Sequence, residues 1–131
     1  MYMLDTDICS YIIRERPVSV LEKFKRIDAS NLCISAITQA ELLYGIARSS
    51  SKKVNREVVS DFIGRLIVLD WNSAAAEKYG ELRAELEAKG KTIGNMDMMI
   101  AAHALSIGAT VVTNNTRHFS LVPKLKTSNW I

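Results

Sequence analysis

Short, almost wholly apolar runs alternate along this chain with longer stretches in which apolar positions recur every three or four residues. The first pattern predicts buried strands, the second helices with one inward face. Tyr2-Met3-Leu4-Asp5, Leu32-Cys33-Ile34-Ser35, Ile67-Val68-Leu69-Asp70 and Thr110-Val111-Val112-Thr113 read as strands, and a short final strand is expected near Ser128–Ile131. After the first strand, Thr6 or Asp7 can cap a helix running to about Arg16, where Pro17 stops it. A second helix is expected from Val18 to about Arg26, with Val20, Leu21 and Phe24 on one face.

The next helix runs from about Ala36 to Ser49, with Ser35 or Thr38 as its N-cap. Its apolar stripe reads as Ile37, Leu42 or Leu43, Tyr44 and Ile46. Ser49 to Lys53 reads as a solvated turn, and Val54–Leu66 as a helix with Val58, Val59, Phe62 and Ile63 inward. Ser73–Ala88 predicts a long helix with a charged face, ended by Gly90. Asn95 or Met96 starts another that runs to Ile107, and Gly108 supplies its C-terminal turn. The pattern predicts an α/β fold, a three-layer α/β/α sandwich around a short, mainly parallel sheet of four to five strands. Residues 1–131 are expected to form a single domain, which is long enough to bury a core without disulfides or metals.

Composition narrows the picture only modestly. Hydrophobic residues make up 48% and charged residues 24%, an ordinary globular balance. Seventeen Lys/Arg against 14 Asp/Glu give a net charge of +3, too small an excess to predict nucleic-acid binding by itself. Cys9 and Cys33 have no zinc-site spacing and read as buried free thiols of a reducing compartment. Asp5 and Asp7 interrupt the apolar start, which argues against a signal peptide. The longest apolar stretch, Met98 to Val112, contains His103 and Gly108 and is too short to span a membrane. A soluble, cytoplasmic protein is expected.

Ligands of parallel sheets sit beyond the carboxyl ends of the strands. At that edge fall Asp5, Asp70, and Thr113 followed by Asn114 and Asn115. Two further acids are set among apolar residues on helices: Glu41 in Thr38-Gln39-Ala40-Glu41-Leu42-Leu43, and Asp97 in Asn95-Met96-Asp97-Met98-Met99. Neither has a Lys or Arg one helical turn away. A core-facing charge is costly unless paired or bound to a cation. Asp5, Glu41 and Asp97 are thus expected to cluster without a counter-charge, which suits a hard divalent cation, Mg²⁺ or Mn²⁺. Each acid also has an ordinary structural role open to it. Asp5 can cap a helix, Glu41 can point outward, and Asp97 can complement a helix dipole; Asp70 is read as an acid that merely opens a turn.

The order of these fragments resembles the PIN-domain ribonucleases of the VapC toxin type, over essentially the whole chain from Met3-Leu4-Asp5-Thr6 to Asn129-Trp130. The matching pieces are the strand ending in Asp5-Thr6, Glu41 on the helix after the second strand, Asp97 within Asn95-Met96-Asp97-Met98-Met99-Ile100-Ala101-Ala102-His103-Ala104, and Thr113-Asn114-Asn115-Thr116-Arg117-His118-Phe119. The resemblance implies an acid pocket in which Asp5, Glu41 and Asp97 hold one or two Mg²⁺ or Mn²⁺ ions, with the Thr6 hydroxyl beside the first acid. The family's fourth pocket position, often Asp, falls on Asn115. Asp7 stands where such toxins often carry Asn, and reads as a rim carboxylate or, slightly favoured, a cap of the first helix. The implied activity is metal-dependent hydrolysis of RNA, with tRNA a frequent target. The implied partners are a VapB-type antitoxin, a second copy of the chain, and operator DNA reached only through the antitoxin. Arg14, Arg16, Arg48, Lys52, Lys53 and Arg117, near loops or helix ends, are the candidate RNA contacts.

Other readings compete. Asp5-Thr6-Asp7 after a strand is also the DxD opening of phosphoaspartyl phosphatases, which need a later Lys and acidic pair that are not evident here. A receiver domain would use Asp70 but lacks the expected early acidic pair. A metal-free ribonuclease would use His103 and His118, although His103 falls on an apolar face where a satisfied core histidine is expected. The non-enzymatic alternative is a PIN-like scaffold that binds RNA or a partner without cutting.

Overall fold

The computed structural model describes all 131 residues. Five strands, β1 (Tyr2–Leu4), β2 (Leu32–Ser35), β3 (Ile67–Leu69), β4 (Thr110–Val112) and β5 (Lys126–Ser128), form one sheet in the order β3-β2-β1-β4-β5. Every neighbouring pair is parallel. Helices α1 (Thr6–Ile13), α2 (Val18–Arg26), α3 (Ala36–Ala47), α4 (Lys52–Ile63), α5 (Ser73–Ala88), α6 (Asn95–Ile107) and the short α7 (Thr116–Phe119) fill the crossovers, with one 3₁₀ turn at Ala29–Asn31.

Strand alternation splits the core into two layers. Leu4, Leu32, Ile34 and Val112 pack with Ile8, Ile12, Leu42, Ile46 and Phe62, covering one face with the first four helices. Met3, Cys33 and Val111 pack with Leu82, Leu86, Ile100 and Phe119 on the other face, under α5, α6 and α7. This is the α/β/α sandwich that the strand pattern predicts. Both cysteines are free and buried in it.

Several boundaries differ from the sequence expectation. Helix α1 ends at Ile13, short of Arg16, because Glu15 turns left-handed at φ 58°. The Arg16 amide then donates to the Tyr11 carbonyl and the Glu15 amide to that of Ile12, closing the end as a Schellman turn with Glu in the place usually taken by Gly. Helix α4 takes in Lys52 and Lys53, and the last strand is Lys126–Ser128, where it pairs with Thr110–Val112. Leu42 and Ile46 bury the face of α3, while Leu43 and Tyr44 stay exposed; on α4, Val58 is also exposed. Gly108, left-handed at φ 68°, ends α6 as expected.

Crossovers run outward from β1 to β2 and β3, and from β4 to β5 on the other side. The carboxyl ends of β1 and β4 therefore flank the topological switch point, where parallel sheets open a crevice. Asp5 extends β1 there, its amide donating to the Val112 carbonyl at 3.0 Å. No helix is long and apolar enough to cross a membrane.

Candidate active site

Asp5 follows the apolar β1 directly, so its carboxyl enters the crevice at 3% exposure. It is itself the N-cap of α1, accepting from the Ile8 amide at 2.9 Å; the cap is neither Thr6 nor Asp7. Burial pushes its pKa up to about 6, against the opposing pull of hydrogen bonds from Thr113 and Ile8. The negative charges of Asp7 and Asp97 push in the same direction as burial. Asp7 is an exposed first-turn residue of α1, which places its carboxylate at the rim of the crevice.

Glu41 sits mid-way along α3, half-buried, and its Oε1 accepts the Thr6 hydroxyl at 2.5 Å. One turn earlier, the Thr38 hydroxyl is fully buried with no protein partner. Asp97, in the first turn of α6, is half-buried, and burial raises its pKa. Its Oδ2 accepts from Asn115 Nδ2 at 3.3 Å and lies 3.7 Å from His118 Nδ1. Asn115 Nδ2 also lies 2.8 Å from His118 Nδ1. The Asn115 amide N–H donates to Thr113 Oγ1 at 2.8 Å, tying the start of α7 to the end of β4.

The structure thus gathers Asp5, Asp97 and Asp7 within one another's electrostatic reach, with Glu41 joined on through Thr6. No three acidic, histidine or cysteine side chains close into a tight cage, so the three-acid cluster expected from the sequence is an open arrangement. Magnesium suits an open site: it binds through one or two carboxylates and keeps several waters. The donors are all hard oxygens. None of Asp5, Glu41 and Asp97 is paired with Lys or Arg, since the ion pairs involve Lys78, Arg83, Lys89 and, at Asp97, His118. A buried carboxyl without a cation at Asp5, with the unpaired Thr38 hydroxyl one turn from Glu41, fits a hydrated divalent ion.

A groove of about 550 Å³ opens from Thr6, Asp7 and Glu41 and runs between α1, α3 and α4. Arg14 and Arg48, at the C-terminal ends of α1 and α3, line it. Arg16 lies past the groove beside Tyr11 and Pro17, Lys52 and Lys53 are exposed on the first turn of α4, and Arg117 is exposed on α7 next to His118. The link from His118 to Asp97 and Asn115 escaped sequence reasoning; its available signal was the three-residue spacing from Asn115, one helical turn. His103 is a core residue, 2% exposed, with Nδ1 2.8 Å from Ser35 Oγ, so it is no partner for His118 at a surface site. Asp70 is exposed at the edge strand β3, away from the switch point.

Comparison with known proteins shows the family and the fold. Residues 2–125 match the PIN domain family. The chain is 44% identical over 129 residues to the tRNA(fMet)-specific endonuclease VapC of Shigella flexneri, covering 98% of this chain and 97% of that one. It is 45% identical over 130 residues to ribonuclease VapC2 of Haemophilus influenzae, covering 99% and 98%. Among solved structures, VapBC2 of Rickettsia felis bound to a promoter DNA fragment superposes with a TM-score of 0.93 at 42% identity, covering 99% of this chain and 98% of that one. DNA-bound VapBC of Salmonella typhimurium gives 0.94 at 44% identity, with the same coverage. The chain belongs to the PIN-domain family, among its VapC ribonucleases.

Proposed function

We propose that this protein is the toxin of a type II toxin–antitoxin pair, an endoribonuclease that hydrolyses RNA phosphodiester bonds with the help of Mg²⁺ or Mn²⁺, and that tRNA is its substrate. The observation that carries the reading is Asp5: a buried carboxyl at the switch point, without a cationic partner, facing the charges of Asp97 and Asp7. Asp5 and Asp97 would hold the ion, with Glu41 and Asn115 reaching it directly or through ordered water. An ion held there would supply Lewis-acid polarisation of a phosphoryl oxygen and a water of lowered pKa.

The chain's own residues set the stage for that chemistry. Thr6 fixes the Glu41 carboxylate, so its free oxygen faces one direction. Asn115 and His118 hold the outer oxygen of Asp97. Asn115 adds a polar group but no charge where a fourth acid would stand. Arg14, Arg16, Arg48, Lys52, Lys53 and Arg117 supply cationic contacts to the RNA backbone. Similarity to VapBC complexes supports a VapB-type antitoxin as partner, with a toxin homodimer inside a larger complex that meets operator DNA through the antitoxin.

End-labelled total tRNA incubated with purified, antitoxin-free protein tests the proposal. Discrete fragments with 5′-phosphate and 3′-hydroxyl ends are expected in Mg²⁺ or Mn²⁺, and none in EDTA or with Asp97→Asn. Cleavage that persists in EDTA and leaves cyclic phosphates would sink the metal reading. Folded protein that cuts no RNA would leave a binding scaffold in its place.

A further inference from the structure

The side-chain amide of Asn115 has two hydrogens and one oxygen, and the chain itself engages only the hydrogens. Nδ2 lies 3.3 Å from Asp97 Oδ2 and 2.8 Å from His118 Nδ1. An ionised Asp97 carboxylate can only accept, so the amide turns its NH₂ end to it. With NH₂ there, His118 Nδ1 accepts as well, and the ring carries its proton on Nε2. The reverse arrangement, an Nδ1–H donating to the amide oxygen, would set that oxygen against Asp97 Oδ2, acceptor to acceptor. Asn115 Oδ1 enters none of the hydrogen bonds that the residue makes within the chain. His118 follows Asn115 by three positions, one turn of α7, and the next residue, Phe119, is fully buried and anchors that turn. The imidazole itself is half-exposed and belongs to neither layer of the core.

We infer that His118 is a positioning residue that acts through Asn115: its Nδ1 accepts the second amide hydrogen, so that Oδ1 is the group left to accept from the hydration shell of a divalent ion held at Asp97. An unrestrained amide offers either end, and its NH₂ end, a donor, is the wrong one toward a cation and its waters. Two acceptors on Nδ2, one from α6 and one from α7, remove that choice before any ion arrives. Asn115 brings no charge, so its orientation is what it contributes. Partners of this outer kind commonly change metal affinity by about tenfold to a hundredfold. The inference rests on the metal-dependent ribonuclease reading, and its test uses no RNA.

The probe is Mn²⁺ alone, titrated into full-length, metal-free protein at pH 7.5, with the free ion read from its paramagnetic resonance signal. His118→Asn offers an oxygen acceptor in the place of Nδ1, whereas His118→Leu keeps the branched shape and removes the acceptor. The leucine variant is expected to bind Mn²⁺ about tenfold more weakly, and the asparagine variant to stay within about threefold of wild type. Melting temperatures in EDTA should agree among the three, because the imidazole is no part of the core. Proton–nitrogen correlation spectra of the wild-type imidazole are expected to show a hydrogen on Nε2 and none on Nδ1. A leucine variant that binds like wild type, an asparagine variant as weak as the leucine one, or a hydrogen on Nδ1 would each overturn the inference and leave the ribonuclease reading standing. Wild-type protein that binds no Mn²⁺ would overturn the metal reading, and this inference with it.

Discussion

The hydroxyl of Thr6 donates to Oε1 of Glu41 at 2.5 Å, joining the first turn of α1 to the middle of α3 across 35 residues of sequence. It is the side-chain hydrogen bond that ties Glu41 to the residue next to Asp5. A bond from a neutral donor to a carboxylate contributes more than a neutral pair, roughly 1.5–3 kcal/mol where water is excluded and less at a half-buried site. Thr6→Val removes the donor at nearly constant shape. Cleavage is expected to fall at least tenfold, with a stability loss of about 1 kcal/mol. In a double-mutant cycle with Glu41→Gln, the two losses should couple. Strict additivity would show that Thr6 does not act through Glu41.

Asp5 gives the metal-free protein a definite pH dependence. Its folded pKa, about 6, lies above the ordinary 3.8, so the protonated carboxyl is the form the fold prefers. The associated stability is fully present below pH 3.8 and is lost as pH rises through about 6. A shift of this size corresponds to about 3 kcal/mol across that window. Asp5→Asn still offers an oxygen to the Ile8 amide and carries no charge at any pH. Denaturant titrations in EDTA should therefore find the variant's advantage over wild type growing from pH 4 to pH 7.5. An equal difference at both pH values would mean that the charge of Asp5 is already balanced within the chain.

Divalent cations should reverse that cost. Mg²⁺ or Mn²⁺ that binds only the folded protein raises stability by mass action, about 2.7 kcal/mol at a concentration 100 times the dissociation constant. The melting temperature at pH 7.5 is expected to rise with either metal in the wild type and to stay nearly constant in Asp5→Asn or Asp97→Asn. A wild type indifferent to metal well into the millimolar range would remove the ion from the site.

Much of this architecture was legible in the chain because strands such as Leu32–Ser35 and Thr110–Val112 are continuous apolar runs that only a doubly covered sheet can bury. Glu41 and Asp97 stood out for the converse reason, as charges in apolar settings with no local partner, and Asp5 as an acid at the carboxyl end of a strand. Where sequence reading failed, tertiary contacts decided. Helix α3 carries apolar residues on several sides, and only packing against β2 and α4 selects Leu42 and Ile46 over Tyr44. Asp5, Thr6 and Asp7 are all competent caps, and the depth of β1 in the sheet selects Asp5. The Thr6–Glu41 and Asp97–Asn115 bonds join residues far apart in sequence, which no periodicity reveals. His118 was weighed only as a partner of His103, and its true neighbours lie across α7 and α6.

Ser35 joins two structural tasks at the end of β2. Its hydroxyl oxygen caps α3, accepting from the Ile37 amide at 3.1 Å, and it also pairs with His103 Nδ1 at 2.8 Å in the core. Ser35→Ala removes the cap, worth about 1 kcal/mol, and leaves a buried ring nitrogen unpaired at a further cost of about 1–3 kcal/mol. Burial holds the His103 pKa below its ordinary 6.5, so the fold favours the neutral ring. That contribution is present above pH 6.5 and is lost as pH falls below it, toward the lower folded value. His103→Gln, which cannot become charged, should therefore lose less stability than wild type between pH 7 and pH 5.5, while Ser35→Ala should be destabilised by roughly 2–4 kcal/mol across the whole range. Because α3 carries Glu41, the Ser35 variant should also cleave RNA more slowly at temperatures where it is still fully folded. Full activity in a stably folded Ser35→Ala protein would show that the cap holds the helix without positioning its acid.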